Sequence, residues 1–369
     1  MNTETESGIP KYKKETKSGY SKYTVDDLYN KYVPVSTTEN STPKADNISM
    51  WHSGIFGLVV GDALGVPVQF MSEKEIQNSH EGPVTGMRGG GVYKKPAGTW
   101  SDDSAMVLAT LHSLLYRNGI DPDDIMQQFI LWLHYGRFTP DDEAFDQGIT
   151  CTRAIEAYQK DRNVKTCGAT GEYANGNGAL MRILPVCLYL LDSAKRPRIS
   201  DNEAIALVHS VASLTHNTLR SNMCCGFYYF MVKAILDGKD KSLPALLQKG
   251  ISDASEFYAK DRDSLSEMKR LERIMQLEMF KDTPRKLIKS SGYVIDTIEA
   301  AVWCLINTDS YRECMLKAVN LGDDTDTVAA IAGGLAGLFY GYGDIPAEWL
   351  AALRSKNDVI TACLEMVEK

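Results

Sequence analysis

Two short acidic clusters lie about 220 residues apart, Ser101-Asp102-Asp103-Ser104 and Asp323-Asp324-Thr325-Asp326-Thr327. Each opens directly into an apolar run of helical type, Ala105 to Leu111 after the first and Val328 to Gly334 after the second. Ser, Thr and Asp at a helix start accept hydrogen bonds from orphan backbone N–H groups, and the helix dipole favours negative charge there. Capping accounts for one or two carboxylates per site, not for five in nine positions. Brought together in a fold, Asp102, Asp103, Asp323, Asp324 and Asp326 would carry nearly five like charges. Two helix ends offer roughly half a positive charge each. Hard cations resolve that imbalance. An all-oxygen donor set without His or Cys suits Mg²⁺, Mn²⁺ or Ca²⁺ rather than zinc.

The elements that must carry these clusters are helical. Apolar residues recur at helical spacing from Trp51 to Ala63 and stop near Gly65 and Pro67. Further helices are expected over 104–117, 122–135, 143–160, 179–192, 202–214, 219–237, 243–259, 263–279, 291–306, 311–319, 327–340 and 346–354. Strand-like alternation is scarce, and no GxGxxG after a strand or Walker-type loop occurs, which excludes Rossmann and P-loop readings. Gly89-Gly90-Gly91 is a tight loop before it is a phosphate cradle. The run Gly333-Gly334-Leu335-Ala336-Gly337 reads as close helix packing, with small residues letting a second helix approach.

The chain has 369 residues, 44% of them hydrophobic, and a formal net charge of −8. That supplies a large core and disfavours a nucleic-acid partner, since no basic run is interleaved with aromatics in the main body. The eight cysteines show no CxxC spacing and read as reduced core thiols of a cytoplasmic protein. No apolar leader region and no unbroken run of 18 apolar residues occurs, so secretion and membrane spanning are not expected. Residues 1–46 differ from the rest: few aliphatics, seven Lys against seven Asp plus Glu, and five tyrosines, Tyr12, Tyr20, Tyr23, Tyr29 and Tyr32. The segment reads as an N-terminal arm too polar to fold alone, either an idle tail or a partner-binding element whose tyrosines fill pockets. The remainder, 47–369, reads as one all-α domain.

Five blocks, in order, are similar to the signature blocks of the ADP-ribosylglycohydrolases, the family of dinitrogenase reductase-activating glycohydrolase. They are Gly57 to Gly65 (GLVVGDALG), Gly98 to Ser104 (GTWSDDS), Gly176 to Arg182 (GNGALMR), Leu214-Thr215-His216 and Gly322 to Thr327 (GDDTDT). The resemblance covers roughly residues 50–345. It implies an all-helical fold with two Mg²⁺ or Mn²⁺ ions at the bottom of a cleft, and hydrolysis of the bond joining ADP-ribose to a protein side chain, arginine foremost. By position it implies metal binding at Ser101, Asp102, Asp103, Asp324, Asp326 and Thr327, and catalysis by Asp102 and Asp103. It implies substrate contact at Gly176, Asn177, Gly178, Met181 and His216, and adenine stacking at Tyr293. Asp323 falls where the family often has glycine. Gln69 stands where several members carry a glutamate near the metals, which puts both rate and linkage in question.

Two residues keep two readings each. Asp62 is either a buried acid of the site or a residue at the end of its helix bonding nearby backbone. His216 is either a satisfied core histidine or a ligand contact. Of Asp102 and Asp103, one is expected to hold metal and the other, Asp103, to orient the ribose diol or relay a proton. At the level of function an ADP-ribosylglycohydrolase acting on a modified protein leads. A blocker of a cognate ADP-ribosyltransferase, an immunity protein using the arm, and an inactive ADP-ribose binder stand beside it.

Overall fold

The computed structural model describes residues 49–194, 196–238, 241–354, 360, 361, 363, 364 and 367. The arm with its five tyrosines lies outside the described residues. Among them fifteen α-helices follow one another: α1 (Met50–Gly65), α2 (Glu73–Asn78), α3 (Asp102–Arg117), α4 (Pro122–Tyr135), α5 (Ile149–Asp161), α6 (Leu184–Leu191), α7 (Asp201–Ala212), α8 (Leu219–Asp237), α9 (Leu243–Tyr258), α10 (Arg262–Met268), α11 (Leu277–Lys281), α12 (Val294–Ile306), α13 (Tyr311–Val319), α14 (Thr325–Tyr340) and α15 (Ala347–Ala352). No strand is formed there, only isolated bridges such as Gly176 with Tyr293 and Ala169 with His216.

The centre is α1. Every residue of it from Trp51 to Gly65 is buried, as suits a helix that is apolar all round. With the following turn it forms a stretch, Met50–Val68, long and apolar enough to cross a membrane, yet wholly enclosed by protein here. Its principal partner is α14. A Cβ added at Gly61 would lie 2.2 Å from the Ala329 carbonyl oxygen, at Gly57 2.4 Å from that of Gly333, and at Gly65 2.3 Å from Cα of Asp326. Backbone therefore packs on backbone along a glycine seam, the role expected of 333–337. The seam fixes the C-terminal end of α1, with Asp62, against the N-terminal end of α14, with Asp326. Thr325 Oγ1 pins it by donating to the Gly65 carbonyl at 2.9 Å.

Most expected helices stand, with α4, α8 and α13 at the expected limits. Three differ. The expected helix 143–160 begins only at Ile149, because Asp142 and Asp146 take left-handed backbone and Gly148 is the cap. The stretch 179–192 divides into a 3₁₀ turn at Leu180–Arg182 and α6, with Pro185 in the first turn of the helix. The stretch 263–279 breaks into α10, a 3₁₀ segment Lys269–Met275 and α11. Helix α2, started by a Ser72/Glu75 capping box, was not foreseen. All eight cysteines are free and buried.

Candidate active site

Helices α3 and α14 bring their N-terminal ends together. Ser101 caps α3, its Oγ accepting from the Asp103 N–H at 3.3 Å. The Ser101 and Thr327 hydroxyls both donate to Asp103 Oδ2, at 3.1 and 3.2 Å. The second bond joins the two acidic clusters across 224 residues of sequence. The other oxygens are unsatisfied: Asp103 Oδ1 and both oxygens of Asp326 are buried without a hydrogen-bond partner. An uncompensated buried carboxylate carries a penalty of several kcal/mol. Burial, reinforced by neighbouring carboxylates, raises Asp102, Asp103 and Asp326 well above the ordinary range. Oxygens of Asp62, Asp103 and Asp326 lie within 4.8 Å of one another. Orphaned oxygens of this kind, with hydroxyls as the other donors, are a fitting cradle for hard divalent cations.

Asp62 resolves its two readings in a third way. Its carboxylate accepts from the Ser101 and Ser104 backbone N–H groups, at 2.9 to 3.0 Å, and from Ser104 Oγ at 2.5 Å. It caps α3 from α1 rather than bonding backbone of its own helix. Burial lifts it from 3.8 to about 6, against those lowering bonds. Although it belongs to the close trio by distance, three donor groups already engage its oxygens, so bracing the Ser101–Ser104 turn is its evident work.

Above this floor opens a cleft of about 300 Å³. Asp102, Asp324 and Thr327 line it, as do Gly176, Asn177, Gly178, Met181 and His216. Asn177 holds the wall to the floor, its Nδ2 donating to Asp324 Oδ2 at 2.6 Å and to Thr297 Oγ1 at 3.0 Å. His216 is buried, and burial with nearby Arg182 lowers it to about 3, so the ring is neutral. A Cβ on Gly178 would meet the His216 ring at 2.8 Å and Cys151 Sγ at 2.9 Å, so the wall needs glycine there. Burial pushes the Cys151 thiol up to about 12, which removes it as a thiolate nucleophile. Tyr293 stands apart: its neighbour Gly292 lines the cleft, but Tyr293 does not. Its ring lies 5.7 Å from the Arg220 guanidinium, which Glu172 and Glu267 hold in turn.

The rim contains what sequence reasoning missed. Asp146, inside the stretch read as helix, lines the cleft from a loop with φ of 55°. Gln69 Nε2 donates to its Oδ2 and Tyr93 OH to its Oδ1, both at 2.6 Å. A glutamate at position 69 would repel this carboxylate; the amide secures it. The amide orientation follows from that bond. Burial and Asp146 raise the Tyr93 phenol, which stays a donor. Gly148, a residue type favoured at a helix start, was the available signal that Asp146 lay before the helix. Asp323 is exposed at the rim, away from the buried trio.

An all-helical fold whose two acidic helix ends meet under a glycine-walled cleft agrees with the resemblance that the five sequence blocks carry. Residues 45–369 match the ADP-ribosylglycohydrolases, and the chain belongs to that family of hydrolases acting on ADP-ribose linkages. It is 30% identical to the ADP-ribosylarginine hydrolase Tri1 of Serratia proteamaculans, over 84% of this chain and 77% of that one. It is 32% identical to the ADP-ribosyl-[dinitrogen reductase] glycohydrolase of Rhodospirillum rubrum, over 81% and 88%. A solved ADP-ribosylglycohydrolase-related protein complex superposes with a TM-score of 0.67 at 28% identity, covering 86% of this chain and 97% of that one.

Proposed function

We propose that this protein releases ADP-ribose from ADP-ribosylated arginine side chains in a reaction that depends on divalent cations, two Mg²⁺ or Mn²⁺. The observation that carries the cation dependence is the set of three buried, unpartnered carboxylate oxygens on Asp103 and Asp326 at the junction of α3 and α14. Arginine is favoured because two relatives are ADP-ribosylarginine hydrolases. Asp102, Asp103, Asp324, Asp326, Ser101 and Thr327 would hold the ions, which supply charge neutralisation and a fixed anchor for the ribose diol.

The chain's own residues do the rest. Asn177 orients Asp324. Neutral His216 and the Gly176–Gly178 wall shape the space for the sugar without adding charge. Asp146, fixed from both sides by Gln69 and Tyr93, is the rim group placed to take a proton from the attacking water or return one to the leaving guanidine. Gln69 is thus a holder of the working carboxylate rather than a lesion. The decisive experiment offers arginine-, serine- and cysteine-linked ADP-ribosylated substrates with and without EDTA. Release from the arginine linkage alone, abolished by EDTA, is expected; undiminished release in EDTA overturns the cation dependence.

A second activity is compatible with the first. We propose that the arm, residues 1–46 with Tyr12, Tyr20, Tyr23, Tyr29 and Tyr32, binds a partner such as the ADP-ribosyltransferase that installs the modification. Its polar, tyrosine-rich composition just ahead of the family match supports this. Deleting residues 1–46 should leave turnover unchanged and abolish capture of that transferase; equal capture by both forms would show the arm idle.

A further inference from the structure

We infer that Phe70 and Asp323 are the acceptor-recognition pair of the cleft, an aromatic face and a carboxylate that together bind the guanidinium of the side chain being released. This rests on the hydrolase reading above and assigns its leaving-group specificity.

Both residues occupy left-handed backbone, with φ of 65° at Phe70 and 69° at Asp323. Aspartate tolerates that region; a bulky aromatic there is an outlier. Burial does not offset it, because Phe70 is 60% exposed. Glycine at either position would relax the backbone and lose little packing. The strain is imposed by reciprocal pairing: Phe70 N–H donates to the Asp323 carbonyl and Asp323 N–H to that of Met71, both at 2.7 Å. Strain locked in by its surroundings at a cleft marks a site that uses it.

The pair is also in the right place. Both residues line the active cleft and an adjoining cavity of about 420 Å³, so they form the ridge between the two. Tyr93, which secures Asp146, meets the Phe70 ring edge-on at 6.4 Å and braces it. Asp323 makes no side-chain hydrogen bond or ion pair among the described residues. The cleft lining carries four carboxylates, Asp102, Asp146, Asp323 and Asp324, and no Lys or Arg. The cations of the adjoining cavity are Lys289 and Arg285, and Arg285 is engaged by Glu73 and the Leu321 carbonyl rather than by Asp323. Asp324 is engaged by Asn177, Asp146 by Gln69 and Tyr93, and Asp102 lies buried at the floor. Asp323 is left free to face an incoming cation. A planar, weakly hydrated cation that stacks on rings and pairs with carboxylates is a guanidinium. A serine or cysteine acceptor offers neither charge nor plane.

The test uses the full chain with Mg²⁺ and three variants, Asp323→Asn, Asp323→Gly and Phe70→Gly. Calorimetry reads agmatine, a bare guanidinium, binding to ADP-ribose-saturated protein, and initial rates read an arginine-linked substrate. Each variant should weaken agmatine and raise KM at least tenfold, with kcat within about threefold and ADP-ribose affinity within twofold of the parent. The glycine variants should melt no lower than the parent. Agmatine that fails to bind the parent, or binds all variants equally, overturns the inference, as does a matching tenfold loss of ADP-ribose affinity. A parent that releases ADP-ribose from no linkage overturns the proposed function instead, while the agmatine measurement still decides the pair.

Discussion

The floor of the cleft and its rim are built on opposite principles. The floor hangs on the seam between α1 and α14, where glycine lets backbone touch backbone and every carboxylate sits at a helix end. The rim is made of loops, and of the eight non-glycine residues with left-handed backbone among the described residues, Phe70, Lys94, Asp142, Asp146 and Asp323 belong to those loops. In the floor, energy is invested in unsatisfied charge held by an unstrained scaffold. In the rim it is invested in backbone conformation, while the side chains are partnered or open to solvent, save for the buried Gln69 Oε1, which has no hydrogen-bond partner. If the floor holds cations, as proposed, it needs fixed positions more than relaxed electrostatics, whereas a rim that grips one acceptor would need side chains aimed where ordinary backbone would not send them.

The contrast breaks most visibly at the seam. Gly61→Val should prevent folding or lower the melting temperature by more than 10 °C, since overpacking already costs roughly 1–3 kcal/mol in side-chain cores and here a backbone oxygen stands in the way. A cost under about 1 kcal/mol by urea unfolding would mean the seam can yield. Next, Asp103→Ala, or Asp324→Ala with Asp326→Ala, should slow ADP-ribose release by at least about 100-fold while stabilising the EDTA-treated protein, because an unpaired buried charge is removed. Retained turnover in either variant would remove those residues from the chemistry. At the rim, Asp146→Asn should cost about 10²-fold in kcat, the low end for a general acid or base, with the melting temperature unchanged; a loss seen in KM alone would reduce Asp146 to a binding group.

A pH titration separates the two regions without mutation. Between the usual Asp value of 3.8 and the raised value of about 6, folded Asp62 keeps a proton that the unfolded chain has given up. Raising pH through that window therefore favours unfolding. EDTA-treated protein should melt about 5 °C lower at pH 7.5 than at pH 4.5, and Mg²⁺ should shrink the difference. A melting temperature that instead rises across this range in EDTA would show the floor carboxylates to be compensated within the protein. The smallest effect is expected for Tyr93→Phe, which deletes one hydrogen bond to Asp146 and should slow turnover about fivefold, equivalent to about 1 kcal/mol. Unchanged turnover would mean Gln69 alone fixes Asp146.

How far the sequence could be read follows the same division. The floor was legible because its signals are local and redundant: acidic residues directly before apolar helical runs, and small residues spaced along α14. Asp62 was half legible; its burial followed from the apolar run, but its partners, Ser101 and Ser104, belong to a helix that no local pattern links to it. Asp146 was hidden by amphipathic spacing that continues into α5, with only Gly148 to mark the break. Phe70 was hidden more completely, since neither left-handed backbone nor reciprocal pairing with a residue some 250 positions away has a composition signature. Gln69 was visible as a departure, and its meaning waited on Asp146.

The seam between α1 and α14 also sets an order of events during synthesis. Helix α1 leaves the ribosome early, while the glycine face that covers it lies roughly 260 residues later, about 13–50 s of translation at ~5–20 residues per second. Throughout that interval the nascent chain presents a 19-residue segment apolar enough to span a membrane, with no partner yet made. Its safe passage depends on a holding factor or on provisional cover from α3 and α6, which contact α1 and are made sooner. Any message or protein cut short before Thr325 would therefore yield a product that both lacks the second acidic cluster of the floor and leaves this apolar helix without its main cover.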